Sequence, residues 1–158
     1  MNRSIFWLAL MAALAVAAGY ANASLSNSVS AESIETYSVE GPGSLPLGSI
    51  YPGTEGQVSA NVIVRSNVDW AILAQGSNSG KMKRTLVPTN SMEQVMRIQH
   101  MSVPPEAELP LSGVPQPYVQ GTHGEITVPT DFKQAVTWFD IPGEYKITVK
   151  FYIFPTAI

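Results

Sequence analysis

The chain has 158 residues, with 9 Lys and Arg against 12 Asp and Glu, a formal charge of −3 at pH 7 and no cysteine. The charges are scattered singly, so no basic cluster exists that would neutralise a run of phosphates, which excludes nucleic-acid binding and disfavours anionic lipid. The lack of cysteine excludes disulfides and a lipoprotein anchor, so packing must hold the fold together.

The first 23 residues have the composition of a secretory signal peptide. Arg3 precedes an almost wholly apolar stretch at 5–19, and the small-x-small pattern Ala21-Asn22-Ala23 follows it. An apolar run of about 15 residues is shorter than the roughly 20 that a spanning helix needs, which argues against the alternative of a retained membrane anchor. We therefore predict cleavage between Ala23 and Ser24, export to the periplasm, cell surface or medium, and no membrane span.

A serine-rich segment, residues 24–33, follows the predicted cleavage point. Serines alternate there with a second set of side chains, namely Leu25, Asn27, Val29 and Ala31. This is the pattern of a strand, but no neighbouring segment is available to pair with it. Such a segment can pair with the sheet edge of a neighbouring subunit, and head-to-tail repetition of that contact builds a filament. We predict a donor strand here; a flexible leader and the first strand of its own domain are the alternatives.

Residues 34–158 are predicted to form a single all-β domain. Twelve prolines and twelve glycines divide the chain into short extended pieces, as is typical of a sandwich or barrel. The first clear strand alternates, with an inward set consisting of Val58, Ala60, Val62 and Val64. A second strand starts near Trp70, and the short turn Ser66 to Asp69 predicts that the two form a hairpin.

The segment 90–101 fits either a short helix or a strand, and prolines on both sides of it favour the strand. A long proline-rich loop is expected at 102–124. Two further strands are predicted at Glu125–Val128 and Gln134–Trp138.

The final strand follows a turn at Asp140–Gly143 and alternates regularly; its inward set is Tyr145, Ile147, Val149, Phe151 and Ile153. The whole pattern predicts a single Ig-like antiparallel β-sandwich of about seven or eight strands.

Candidate reactive groups are few. Neither of the two histidines, His100 and His123, lies near a recognisable nucleophile motif, so we predict no enzyme, no catalytic residue and no cofactor. Thioether and imidazole groups suit Cu(I) outside the cytoplasm, which makes periplasmic Cu(I) handling a third hypothesis; its candidate ligands are Met92, Met96, His100 and Met101. Methionine also fills irregular cores, and that reading is preferred.

Aromatic side chains suggest a second function class, a monomeric secreted sandwich that binds carbohydrate or protein through its loops. Tyr51, in the sequence SIYPG, and Tyr118, in the proline-rich loop, are predicted to be exposed ligand contacts. Trp70 and Trp138 occupy alternating positions and are assigned to the core.

The C-terminal sequence VTWFDIPGEYKITVKFYIFP resembles the last strands of secreted β-sandwich subunits of the spore-coat U and fimbrial type; the matching positions are Pro142, Gly143, Tyr145, Thr148, Val149 and Phe151. IYPGTEGQVSANVIVRSNVDW is similar to the early strands of such modules. The resemblance implies a fimbrial-like sandwich that acts as a structural subunit at the cell surface, with copies of itself or other surface proteins as partners. This chain differs from many such subunits in lacking cysteine.

Overall fold

The structure is a computed structural model that describes residues 31–156, and the chain from Ile34 onward forms one compact unit. One turn of 3-10 helix, Asn78–Gly80, is accompanied by strands β1 (Tyr37–Glu40), β2 (Glu55–Ser66), β3 (Trp70–Gly76), β4 (Lys81–Arg84), β5 (Ser91–Val95), β6 (Arg97–His100), β7 (Leu109–Pro110), β8 (Gln116–Gly121), β9 (Gly124–Ala135), β10 (Tyr145–Lys146) and β11 (Val149–Pro155). Among the described residues, no helix is long and apolar enough to cross a bilayer.

The strands pair in antiparallel fashion in three sheets. The largest has the order β1-β2-β9-β6-β7, and the other two have the orders β11-β3-β8 and β10-β4-β5. The smaller sheets are linked by the chain itself, because β3 leads through the 3-10 turn into β4 and β10 leads into β11. The predicted all-β antiparallel sandwich is confirmed, although turns divide it into more and shorter strands than the seven or eight expected.

The core lies between the large sheet and the two smaller ones. Val62 and Val64 of β2 are fully buried against Trp70 and Ile72 of β3, as the alternation of these strands predicts. Trp70 is 1% exposed, and its indole nitrogen donates a hydrogen bond of 2.8 Å to the carbonyl of Thr122. A second buried cluster continues the core toward the start of β2; its members are Ala74, Met96, Ile98, Leu111 and Phe132.

The expected hairpin between β2 and β3 is wrong. β2 pairs with β1 and β9, whereas β3 pairs with β11 and β8. The short turn instead carries the chain from one layer to the other. The Ser66 hydroxyl donates to the carbonyl of Val68 at 2.6 Å and stabilises this crossing.

The two strands predicted between residues 125 and 138 are one continuous strand, β9. Pro129, which follows the first of the two predicted strands, lies just beyond the end of β6 in the pairing register. Its carbonyl still accepts a hydrogen bond of 2.9 Å from the amide of Met101. A proline is therefore accommodated where the neighbouring strand has ended.

The segment 90–101 is extended, in agreement with the favoured strand assignment, but β5 and β6 belong to different sheets. The C-terminal segment also follows its predicted alternation, with the inward set half-buried and the outward set more exposed. It is interrupted at 147–148, since β10 pairs with β4 and β11 pairs with β3.

Candidate functional site: a strapped cleft and an aromatic tip

A cleft of about 950 Å³ opens along one side of the sandwich. One wall is the first part of β2: β9 pairs with the whole strand, but β1 pairs with it only at 63–66. Within the described part of the chain, residues 55–62 therefore have one unpaired backbone edge. The opposite wall runs from residue 147 into β11. Within residues 31–156, β11 pairs only with β3. The cleft lining is largely apolar and includes Val58, Met82, Met96, Phe132 and Phe151.

Residues 41–50, which we call the strap, cross this cleft without forming secondary structure. Leu45 and Leu47 are half-buried and pack against the second core cluster. Across residues 31–156, no backbone or side-chain hydrogen bond involves the strap outside strand pairing. Pro42 and Pro46 carry no amide hydrogen to donate. The strap is thus held in the cleft by apolar packing alone.

Sequence reasoning missed this cleft. The signal in the strap sequence GPGSLPLGSI was a pair of leucines two residues apart, set among glycines, prolines and serines. Of the predicted donor set, Leu25, Asn27 and Val29 lie outside the described residues. Ala31 is described, and it is exposed and outside any strand.

Four large exposed side chains, which we call the aromatic tip, project from the end of the sandwich where β2 begins and β9 ends. Tyr51, Leu86, Trp138 and Phe139 are 74%, 85%, 80% and 80% exposed. The three loops that carry them are 51–54, 85–90 and 137–143. Backbone hydrogen bonds of 2.8 Å connect their bases, from Gly53 N to Val136 O and from Thr85 N to Glu144 O.

The turn that presents Trp138 and Phe139 is built around the buried carboxylate of Asp140. One carboxylate oxygen accepts from the Glu93 amide at 2.9 Å, and the other accepts from the Thr137 amide at 2.7 Å and from its hydroxyl at 3.1 Å. A Cβ atom placed on Gly53 would stand 3.4 Å from the indole nitrogen of Trp138. The turn therefore holds Trp138 against a neighbouring loop while leaving both Trp138 and Phe139 in solvent.

Two aromatic assignments made from the sequence need correction. The assignment of Trp138 to the core is wrong, because β9 ends at Ala135 and its alternation does not continue into the turn. The expectation that Tyr118 lies exposed in a loop is also wrong. It is half-buried on β8, with its ring 5.9 Å from that of Phe151 and its hydroxyl 2.7 Å from the Thr130 hydroxyl. Burial raises the pKa of Tyr118 to about 12.

Tyr51 is exposed in a turn, as expected, where its carbonyl accepts from the Thr54 amide at 3.1 Å. Tyr51 and Tyr118, proposed together as ligand contacts, are therefore in different environments, one in solvent and one half-buried against the core. Of these two tyrosines, only Tyr51 is accessible to a ligand.

The candidate copper ligands are not gathered around one point. Met92 and Met96 are buried and line the cleft. His100 is 3.0 Å from a carboxylate oxygen of Glu106, and Met101 is 38% exposed. Among residues 31–156, no group of three or more His, Cys, Asp or Glu side chains is placed to hold a metal ion. The methionines in the cleft contribute apolar lining.

Charged side chains form a network on the outer face of the large sheet. Glu108 accepts hydrogen bonds from Lys133 at 2.8 Å and from Arg97 at 2.6 Å, and Arg97 also pairs with Glu55. The hydrogen bond from Lys133 is the main influence that holds the pKa of Glu108 below its usual range. These groups satisfy one another, so the network serves to join β2, β9, β6 and the segment before β7.

No protein-family model and no curated protein matches this sequence. The chain is similar to a chain in a solved structure of the chaperone and tip adhesin complex of CFA/I fimbriae, with 14% identity and a TM-score of 0.48. The alignment covers 77% of this chain and 43% of that chain, so this chain spans less than half of its length. The fold assignment therefore rests on the strand pairing described above.

Proposed function

We propose that the protein is a non-enzymatic exported structural or interaction module, a fimbria-like or surface-layer subunit that assembles by β-strand addition. The observation that carries this proposal is the cleft beside residues 55–62 of β2, whose edge is unpaired within residues 31–156 and is covered by a strap that makes no hydrogen bond to that part of the chain. An unpaired strand edge offers amide and carbonyl groups to an incoming strand, and displacing the strap breaks no hydrogen bond among the described residues.

The incoming strand is the N-terminal segment of a second copy. A strand paired along residues 55–62 presents alternate side chains to the cleft, in the place that Leu45 and Leu47 occupy in the structure. The set Leu25, Asn27, Val29 and Ala31 has this two-residue spacing. Strand addition replaces the apolar contacts of the strap by those of the incoming strand and adds backbone hydrogen bonds, which favour the exchange.

The test uses the full chain expressed for export, so that processing occurs naturally, beside a variant that lacks residues 24–31. Light scattering and negative-stain microscopy should show filaments or ladders for the first protein and monomers for the second. Folded monomers in both would contradict strand addition. A matched pair sharpens the comparison: replacing Leu25 and Val29 by serine should abolish assembly, whereas replacing Ser26 and Ser28 by alanine should leave it intact.

A monomeric ligand-binding sandwich is the second candidate function, supported by the exposure of Tyr51 in a loop at one end of the domain. Aromatic rings in such positions stack on the apolar faces of sugars. A glycan array with the wild type and with Tyr51→Ala tests it. Binding that is lost in the variant, together with a monomeric wild type, would favour this function over assembly.

A further inference from the structure

The three loops of the aromatic tip carry almost no charge. Among residues 51–54, 85–90 and 137–143, the one side chain charged at neutral pH is Asp140, which is 8% exposed and hydrogen-bonded within its turn. Large apolar side chains grouped on a surface without charges mark an interaction site. Interface cores are likewise rich in aromatic residues and poor in charged ones. The tip therefore has the composition of an interface with another apolar surface.

The tip is continuous with the mouth of the cleft. Pro52, Ile141 and Pro142, which belong to the same loops as the tip, line the cleft. β1 pairs with β2 at 63–66 and so closes the other end of the unpaired edge. The chain that connects a strand bound in the cleft to its own subunit must consequently leave the cleft at the end where the tip projects.

The chain enters its own sandwich at the opposite end of β2. There Asn67 donates from its side chain to the carbonyl of Ile34 at 2.8 Å and accepts from the amide of Thr36 at 2.8 Å. Ile34 is 75% exposed and Tyr37 is 43% exposed. A shallow recess of about 360 Å³, lined in part by Tyr37 and Asn67, lies beside them. This entry end thus offers two exposed apolar side chains beside a recess that the ion pair of Arg65 and Glu125 also lines.

Chain length determines how near two copies must come. From Ala31, the last residue of the predicted donor set, to Ile34 there are three residue steps, which span at most about 11 Å. A copy that donates its N-terminal segment must therefore hold its entry end within this distance of the neighbour's cleft mouth. Two of the loops that carry the aromatic tip line that mouth, so the short connection brings the entry end of the donor close to the tip.

We propose that the aromatic tip of one copy packs against the entry end of the next, around Ile34 and Tyr37, as a second contact between successive subunits. This inference rests on the proposed strand addition. Because the two surfaces differ, the contact is heterologous and can repeat from subunit to subunit, as in a filament. The tip then acts with the donor strand: the strand links the subunits, and the tip fixes the angle between them.

The test compares a tip variant, Trp138→Ser with Phe139→Ser, with a control variant, Val103→Ser, whose apolar side chain is fully exposed elsewhere. The tip variant should need at least about tenfold more protein to assemble, as expected when an aromatic anchor worth more than about 1.4 kcal/mol is lost. The control should assemble like the wild type. Circular dichroism verifies that each variant is folded.

Strand addition is measured separately, by the binding of a labelled peptide of residues 24–33 to protein that lacks residues 24–31. The peptide is tested on the shortened protein with and without the two tip substitutions. The inference holds if it binds equally to both, while assembly of the full chain weakens only when the tip is substituted. If the peptide binds and both proteins assemble equally, the tip contact is overturned but strand addition survives. If the peptide does not bind and the chain stays monomeric, both fail.

Two further results identify the partner of the tip. Ile34→Glu should weaken assembly as the tip variant does, and the effects of the two changes should be non-additive because they remove one contact. Fluorescence of Trp138 should shift to shorter wavelength on assembly. A tip that instead binds neutral phosphatidylcholine vesicles, with assembly unaffected by both changes, would overturn the proposal in favour of a membrane surface.

Discussion

The side chain of Ile50 lies directly against Gly56, so that a Cβ atom placed on Gly56 would stand 3.8 Å from the Cβ of Ile50. Ile50 ends the strap, and Gly56 lies near the start of the unpaired edge of β2. This single contact therefore joins the covering segment to the strand that it covers.

A disulfide at this contact should prevent strand addition. Cβ atoms in disulfides are about 3.8 Å apart, and the chain has no other cysteine to compete. We expect Ile50→Cys with Gly56→Cys to remain monomeric when oxidised and to regain assembly when reduced, as measured by light scattering. Ile50→Cys alone is the control and should assemble under both conditions. Equal assembly of the oxidised and reduced double variant would show that the strap is not displaced.

Gly121→Ala should destabilise the domain because the added methyl group meets the buried ring of Trp70, with one ring carbon only 3.0 Å away. Trp70 is packed on all sides and cannot retreat, so a cost of about 1–3 kcal/mol is expected for this overpacking. Gly43→Ala is the matched control, since a Cβ atom there has no neighbour within 4 Å. Urea unfolding midpoints give the comparison, and equal midpoints would argue against the tight approach of β8 to Trp70.

Glu108→Gln should reduce the loss of stability in acid. The pKa of Glu108 is lowered in the folded protein, so its charged form contributes stability above the unfolded pKa, and this contribution is lost as the pH falls through the folded pKa. The drop in urea midpoint from neutral pH to about pH 3 should therefore be smaller in the variant than in the wild type. Glu144→Gln, in an exposed pair with Lys146, should leave the acid loss unchanged. An unchanged drop in Glu108→Gln would mean that its contacts with Lys133 and Arg97 contribute little.

Val149 and Lys150 are neighbours on β11 with opposite environments. Val149 packs against the second core cluster, whereas Lys150 is exposed. Val149→Asp should lower the free energy of unfolding by more than about 2 kcal/mol because it places a charge among apolar side chains. Lys150→Glu should change it by less than about 0.5 kcal/mol. Thermal melts of the two variants test the assignment of faces, which equal melting temperatures would refute.

Sequence patterns predicted most of the β-structure because alternation is a local property. The inward residues of β2 and of the C-terminal strands follow from a two-residue period, which every extended strand with one buried face must show. Strand pairing was less accessible. A short turn after Ser66 suggested a hairpin, yet the same turn carries the chain between layers, and local sequence does not distinguish the two outcomes.

The candidate site shows the same contrast between local alternation, which the sequence reveals, and long-range contacts, which it does not. Trp138 looked like a core residue because it continues the alternation of β9, but that strand ends three residues earlier, and Asp140 folds the chain into a turn that faces solvent. The decisive contact, from the Asp140 carboxylate to the Glu93 amide, joins residues 47 positions apart. Long-range contacts of this kind leave no signal in the segment that they position.

The sequence by itself determined the class of the protein: a short, cysteine-free, antiparallel β-chain with a predicted export signal and a serine-rich segment of strand-like alternation. These properties are local, since they depend on composition and on spacings of a few residues. Only the tertiary structure decided that β2 has an unpaired edge among the described residues, that the strap covers this edge without a hydrogen bond to them, and that the loops carrying Tyr51 and Trp138 lie together at one end. Those features arise where strands distant in the chain come together, because an edge is defined by the partner that is missing beside it.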